Sequence, residues 1–480
     1  MIRKDPKVAK ALISTNGKPH KYSTYKLRPI CYASHIDSTI YSYYGHILTS
    51  AYEKYIKKHD IENNSLAFRP SNGDKVSNIH HANSAFNKIK EFKNCVVLAF
   101  DVSSFFDILD HQILKKSWIE VLNEGTKLSP DQWAIFKSLT NYSYVDRDDV
   151  YDIFNISPSN PKGISQKVIK EIKYKVLPED KHPVVRGKFK LINKDSDTSE
   201  SKNLERRVRI CTPKSFKKYV TPLIKKNKKH KGIPQGSPMS GVLSNIYMIE
   251  FDKNLKKYIG QLGGHYIRYC DDLLCILPIE DREQIFTKSY SLENYVYSLA
   301  KKSKLDVNRK KTEKYAFMPM ANLGARYSHE NSERYPLHKK NQLACARIER
   351  DELIYDRLQY LGFKFDGYKV TIRSSSLMRY KKKMRRGINY HLRLKLSNDP
   401  EGKLKTRKLY FLYGYSFRGI SNFPTYAKRA SVEFGSSDIR KQLSGRTKEI
   451  KTQINVIEKR IEKQKQENDY FTSKKAKYYK

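Results

Sequence analysis

Two strand-sized apolar runs end on carboxylates, and this constrains the chain more than any other feature. Asn94–Asp101 (NCVVLAFD) reads as a buried strand closing on Asp101. His265–Ile279 reads as a hairpin with two apolar arms around Cys270-Asp271-Asp272. Acids gathered at the ends of buried strands repel one another and are costly unless a cation compensates. Oxygen-only donors select hard ions, Mg²⁺ or Mn²⁺. A pair of such ions can activate a hydroxyl and stabilise charge on a transferring phosphoryl group. Taken alone, Asp271-Asp272 also suits a plain turn.

The rest of the composition points to a polyanionic partner. Lys and Arg number 94 against 50 Asp and Glu, a formal net charge of +44 over 480 residues. That imbalance is larger than solubility requires. The length suggests two to four domains at ~100–200 residues each. With 39% apolar residues the chain can bury sizeable cores. No run approaches the ~20 apolar residues of a membrane span, so no membrane partner is expected. Six scattered Cys form no CxxC pair, and Met1 opens a polar segment with no apolar signal core. Both favour a reducing, cytoplasmic setting.

Between the acids lies KGIPQGSPMS (Lys231–Ser240), a Gly/Pro loop opening a helix expected over Pro238–Tyr258. Gly232 and Gly236 are read as permitting close backbone approach to a ligand. Ser38–Lys57 carries a one-faced apolar pattern at helix spacing, and His111–Leu122 and Arg282–Leu305 also read as helices. Residues ~140–230, rich in Lys, Asp, Ser and Pro, read as an insertion with a flexible part near 193–204. Leu358–Ile372 reads as a second hairpin, turning at Asp366-Gly367. Ser376–Leu396 holds eight Lys or Arg and no acid, and Ile450, Ile454, Ile457 and Ile461 form a short helical stripe expected to pack on the chain's own body.

The order FDVSSFFDILDH, GIPQGSPMSGVLSNIYM, YCDDLLCIL, LDVNRKKT and LGF resembles the successive palm motifs of a reverse transcriptase, and KLRPI (Lys26–Ile30) and SLAFRP (Ser65–Pro70) resemble fingers motifs of the bacterial group II intron lineage. The resemblance runs from about residue 24 to 365, interrupted at 140–230. It implies an α+β right-hand polymerase. The expected parts are an N-terminal region and fingers (1–92), a first part of the palm (93–139), a charged connection (140–230), the catalytic hairpin and primer grip (231–372), a basic helical thumb (373–440) and a helical tail (441–480).

The resemblance also implies roles. Asp101 and Asp271 would bind two Mg²⁺ (Mn²⁺ as substitute), with Asp272 and the Val102 carbonyl completing the site. Phe106 would sit beneath the sugar as a gate against the 2′-hydroxyl. Arg28, Lys26 and Lys311 would hold the triphosphate of a deoxynucleotide, with Lys310 a substitute for Lys311, and Gln235 and Gly236 would lie under the nucleotide and template base. Arg69 would touch template, and Leu361, Gly362 and Phe363 would grip the primer. In the thumb, Arg379, Lys381, Lys382, Lys383, Arg385 and Arg386 would track phosphates.

Among reverse transcriptases, ASVEFGSSDIRKQL (Ala430–Leu443) and the helical tail resemble the unknown-group/Abi class, which acts in bacterial defence against phage and is commonly encoded with a structured non-coding RNA. The expected partners are therefore a structured RNA template, its DNA product and deoxynucleoside triphosphates. A retron-type enzyme is the nearest alternative, and a non-catalytic, maturase-like RNA-binding factor is an alternative of another class. A tyrosyl primer, with Tyr470, Tyr478 and Tyr479 near the C-terminus, is a third.

Overall fold

The computed structural model describes residues 30–69, 77–123, 125–147, 149–150, 213–327, 339–398, 406–414 and 422–459. Lys26, Arg28, the 193–204 segment, Ile461 and the three C-terminal tyrosines lie outside the described residues. In chain order the main elements are α1 (His35–Lys58), α2 (Asn78–Phe92), β1 (Cys95–Asp101), α3 (His111–Leu122), α4 (Pro130–Thr140), β2 (Ser143–Tyr144) and β3 (Lys225–Lys226). They continue with α5 (Ser240–Tyr247), α6 (Ile249–Gln261), β4 (His265–Tyr269), β5 (Asp272–Pro278), α7 (Gln284–Lys302), β6 (Glu313–Pro319), β7 (Leu343–Glu349) and β8 (Glu352–Tyr355). The last are β9 (Leu358–Tyr360), β10 (Phe363–Phe365), β11 (Val370–Ile372), α8 (Ser374–Asn398) and α9 (Phe423–Glu433).

Six strands form one antiparallel sheet in the order β4-β5-β1-β6-β7-β8. β1 lies inside it, which explains its near-continuous apolar sequence, since both faces are covered. Val96, Leu98 and Phe100 point into one core with α1, α3, α5, α6 and α7. Cys95 and Val97 point into a second core with α2, the β9–β11 sheet, α8 and α9. Phe86 of α2 stacks on Phe365 of β10, ring centroids 4.7 Å apart, and ties that second layer together. Ile450, Ile454 and Ile457 are buried in the same core, so the stripe packs on the chain's own body, as its spacing anticipates.

Chain punctuation follows local chemistry. Asp110 caps α3, its Oδ1 accepting from the N–H groups of Gln112 and Ile113. Ser77 and His80 form a capping box at the start of α2.

Two expectations are corrected. The helix expected over Pro238–Tyr258 is two helices, and Pro238 lies before the first. At Met248 (φ −83°, ψ −3°) the N–H bonds the Asn245 carbonyl at 3.1 Å, a tightened turn that ends α5. α5 is buried almost all round, whereas α6 is amphipathic, and the break lets each take its own path across the sheet. The second correction is at Leu358–Ile372, a three-stranded meander in place of a single hairpin. Its first turn is Leu361-Gly362, both at positive φ (44° and 97°), the backbone of a two-residue turn matched to strand twist.

Candidate active site

Sheet register assembles the acids. Asp101 ends β1 directly opposite Asp272, the first residue of β5. Because side chains alternate along a strand, residues opposite each other share a face. The Val102 N–H then bonds the Asp271 carbonyl at 3.2 Å, fastening the β4–β5 turn to the end of β1. Asp271 sits on that turn with its carboxylate beside the Cys270 thiol, which burial pushes up and away from ionisation. Cys270 takes a left-handed φ of 59°, the bend that lets two acids follow one another out of the hairpin.

The other side of β1 brings the cation. The segment after α7 bridges to β1 at Val102 and Val307. The Asn308 N–H bonds the Asp101 carbonyl at 3.0 Å, and the Ser103 N–H bonds that of Asp306 at 2.7 Å. Asn308 caps a short 3₁₀ turn by accepting from the Lys310 N–H. This sets the Lys311 Nζ at 2.7 Å from Asp101 Oδ2. The three elements face a cleft of about 740 Å³, lined among others by Asp101, Asp272, Lys310, Lys311 and Arg347. The Tyr360 hydroxyl, buried in the cleft wall, has no hydrogen-bond partner among the described residues.

The donors here are carboxylate and carbonyl oxygens, the set a hard divalent cation prefers. Among the described residues no three His, Cys, Asp or Glu side chains converge closely enough to hold an ion. The Lys311 ammonium supplies positive charge at Asp101 in this arrangement. The donor chemistry fits a hard, hydrated cation in the cleft.

The turn is held by a residue whose sequence context hides it. Arg268, on β4 two residues before Cys270, is fully buried. It forms a fork with buried Asp252 of α6, Nε to Oδ1 at 2.9 Å and a second nitrogen to Oδ2 at 2.7 Å. Its remaining donors reach Ser65 Oγ at 2.9 Å, Asn245 Oδ1 at 3.1 Å and the Cys270 carbonyl at 3.1 Å. The Tyr266 hydroxyl donates to Asp252 at 2.7 Å. One guanidinium therefore links the 64–67 segment, α5, α6 and the acidic turn, with all its donors satisfied. A period-two reading of HYIRY places Arg268 on the same inward face as Tyr266, the one signal that could have exposed it.

Other expected site residues fall as follows. Phe106 is half-buried against Phe105, centroids 5.6 Å apart, and its carbonyl accepts from the Ile233 N–H at 2.9 Å. The 232–236 loop thus lies against the segment that follows Asp101, with the Gln235 carbonyl accepting from the Cys31 N–H at 2.7 Å. The two glycines have a structural reason of their own. A Cβ on Gly232 would lie 2.8 Å from the Asp107 carbonyl oxygen, and one on Gly236 would lie 2.6 Å from that of Cys31. Both glycines make room for the chain's own backbone.

Arg69 is held within the chain. Its guanidinium grips both Glu53 oxygens, at 2.8 and 2.7 Å, and bonds the carbonyls of Glu62 and Ser65. In this arrangement the fork braces the 62–69 segment against α1. Leu361 and Gly362 line the cleft, whereas Phe363 is buried in the second core against Phe434, so the expected primer contact narrows to the turn. In α8, Tyr380, Met384, Ile388 and Leu392 form the buried stripe. Arg379 bonds Ser375 and Ser376, while Lys381 and Arg385 pair with Glu449 of the tail. The cationic run is thus partly neutralised by an acid far along the chain. Lys382, Lys383 and Arg386 remain exposed, with no acidic partner among the described residues.

Residues 202–365 match the model of the reverse transcriptase (RNA-dependent DNA polymerase) family. The matched stretch holds the 232–236 loop, the acidic turn, Lys311 and the Leu361-Gly362 turn, and the architecture around it is α+β, helices on an antiparallel sheet. No curated protein matches the chain. Among solved structures, telomerase from Candida albicans in complex with a TWJ fragment of telomeric RNA aligns at 11% identity and a TM-score of 0.35, over 86% of this chain and 53% of that one. Apo telomerase from Candida tropicalis truncated from its C-terminal domain aligns at 12% identity and a TM-score of 0.32, over 68% and 44% respectively. The chain spans about half the length of these structures.

Proposed function

We propose that the chain is an RNA-directed DNA polymerase that extends a 3′-hydroxyl with deoxynucleotides in the presence of two Mg²⁺ ions. Its template is a structured non-coding RNA, and its setting is the bacterial cytoplasm, in defence against phage. The observation that carries the catalytic reading is the register of β1 on β5, which sets Asp101 opposite Asp272. The defence reading rests on the likeness of Ala430–Leu443 and the tail to the unknown-group/Abi class, and the basic excess supports a nucleic-acid partner.

When bound, the divalent ions would lower the pKa of the attacking hydroxyl and balance charge on the phosphates. Asp101, Asp271 and Asp272 would hold them, with the Val102 carbonyl as a further ligand. Lys311, fixed by the Asn308-capped turn, would move its ammonium from Asp101 to the β- and γ-phosphates as those arrive. Leu361-Gly362 would present backbone to the primer across the cleft, and Lys382, Lys383 and Arg386 would follow phosphates beyond it.

The test is twofold. Protein recovered from its native locus should carry one structured RNA together with DNA complementary to it. The purified chain should extend a primer on RNA when given deoxynucleotides and Mg²⁺. Failure to extend on any RNA template, with Mg²⁺ or Mn²⁺, would remove the polymerase reading, whereas RNA of random sequence would remove the dedicated-template reading.

Phe106 offers a sharper check. Its ring is half-buried against Phe105, so truncation should open space beneath the sugar. Phe106→Ala should raise ribonucleotide use relative to deoxynucleotide use by roughly ten- to a hundredfold in kcat/KM, the scale on which a steric contact discriminates. An unchanged ratio would assign the ring to packing.

A further inference from the structure

Outside the cleft and the thumb, the strongest concentration of unpaired charge among the described residues is the segment leading into the 232–236 loop. Residues 225–231 (KKNKKHK) hold five lysines, one histidine and no acid. Lys225, Lys226, Lys228, Lys229 and Lys231 are all exposed, and none forms an ion pair among the described residues. The arm is nonetheless held in place. β3 pairs with β2, Lys226 opposite Ser143 and Lys225 opposite Tyr144. The Asn227 N–H bonds the Tyr142 carbonyl at 2.9 Å, and Asn227 Nδ2 bonds those of Thr140 and Lys231 at 3.0 and 3.1 Å. Five lysines within seven consecutive residues concentrate positive charge on this arm, and a polyanion relieves their mutual repulsion.

β2, the strand paired with the arm, walls a cavity of about 300 Å³, at the lower end of small-ligand sites. Tyr32, Tyr41, Tyr142 and Tyr144 line it, with Pro234 and Ser237 on the loop side. Tyr142 and Tyr144 have ring centroids 6.0 Å apart. Aromatic faces beside a row of cations are what unpaired nucleic acid recognises, bases stacking while phosphates meet lysines. A duplex presents its phosphates but not its base faces. From the arm the chain passes through Ile233, bonded to Phe106, to Gln235, bonded to Cys31, so arm and cavity adjoin the segment that follows Asp101.

We propose that the 225–231 arm and the tyrosine-lined cavity form a second nucleic-acid contact, separate from the thumb, that holds the unpaired RNA strand on its way to the acids. The assignment rests on the polymerase reading for the strand's destination, but its test does not.

The full chain would be titrated, without nucleotide or divalent ion, with two RNAs that share one duplex. One is blunt and the other carries a ten-nucleotide 5′ single-stranded extension. Wild type should bind the extended RNA more tightly, with a steeper salt dependence. Replacing Lys225, Lys226, Lys228 and Lys229 together by Ser should abolish the difference and flatten the log–log salt slope for the extended RNA by about 0.7 for each phosphate that is no longer neutralised. Tyr144→Leu should reduce affinity for the extended RNA severalfold and leave the salt slope unchanged. The proposal is overturned if the serine variant loses affinity equally for both RNAs, or binds both as wild type does. Because no synthesis is measured, a chain that binds as expected but fails to extend primers would refute the polymerase reading alone.

Discussion

Asp101→Ala is expected to reduce nucleotide incorporation on an RNA template by on the order of a thousandfold or more, the scale for removing a group that stabilises developing charge, with RNA affinity nearly unchanged. The split follows from the geometry. The β1–β5 ladder is made by backbone groups from Cys95 to Asp101, and an alanine at its end leaves every one of those bonds in place. What disappears is the carboxylate opposite Asp272 and the partner of Lys311. Loss of one of two facing acids also relieves repulsion, so thermal stability should hold or rise slightly. Single-turnover primer extension, RNA titration and thermal melting of the same preparation make the comparison. A parallel fall in RNA affinity and melting temperature would show Asp101 to be a structural acid.

Arg268→Ala should cost about 3–5 kcal/mol of stability, the usual consequence of leaving one member of a buried ion pair without its partner. Asp252 would stay buried with only the Tyr266 hydroxyl and no counter-charge. Ser65 and Asn245 would each lose a donor, and so would the Cys270 carbonyl that anchors the acidic turn. The double variant Arg268→Leu/Asp252→Leu removes both charges and should recover much of the lost stability. It should not recover activity, because the bond to Cys270 is still absent. Denaturant titration of the three proteins measures the first effect and primer extension the second. Full activity in the double variant would show that the guanidinium serves stability alone.

These two residues mark what a sequence can and cannot disclose. Asp101 was legible because a strand that ends on an acid is conspicuous, and because its partners sit in a second apolar run with the same ending. α3 was legible at both ends, since Asp110 caps it and its apolar spacing is regular. Arg268 was not, because a charge inside an apolar arm reads as solvent-facing until Asp252, sixteen residues earlier on another element, is seen to meet it. The intrachain partners of Arg69 and of the 232–236 glycines were hidden for the same reason: Glu53, Asp107 and Cys31 meet them from elsewhere in the chain. Glu449, which neutralises part of α8, is a partner of this long-range kind as well.

The position of β1 has a consequence for how the molecule is made. Its two neighbours, β5 and β6, begin at Asp272 and Glu313, so Asp101 waits 171 residues (272 − 101) for its opposite number. At ~5–20 residues per second of synthesis, a nascent strand with two apolar faces stays unpaired for roughly ten to thirty seconds. Helices α2 and α3 flank it in the chain and are available early as temporary cover. Expression yield and chaperone demand should therefore track changes within residues 94–101 more closely than changes at the sheet's outer strands.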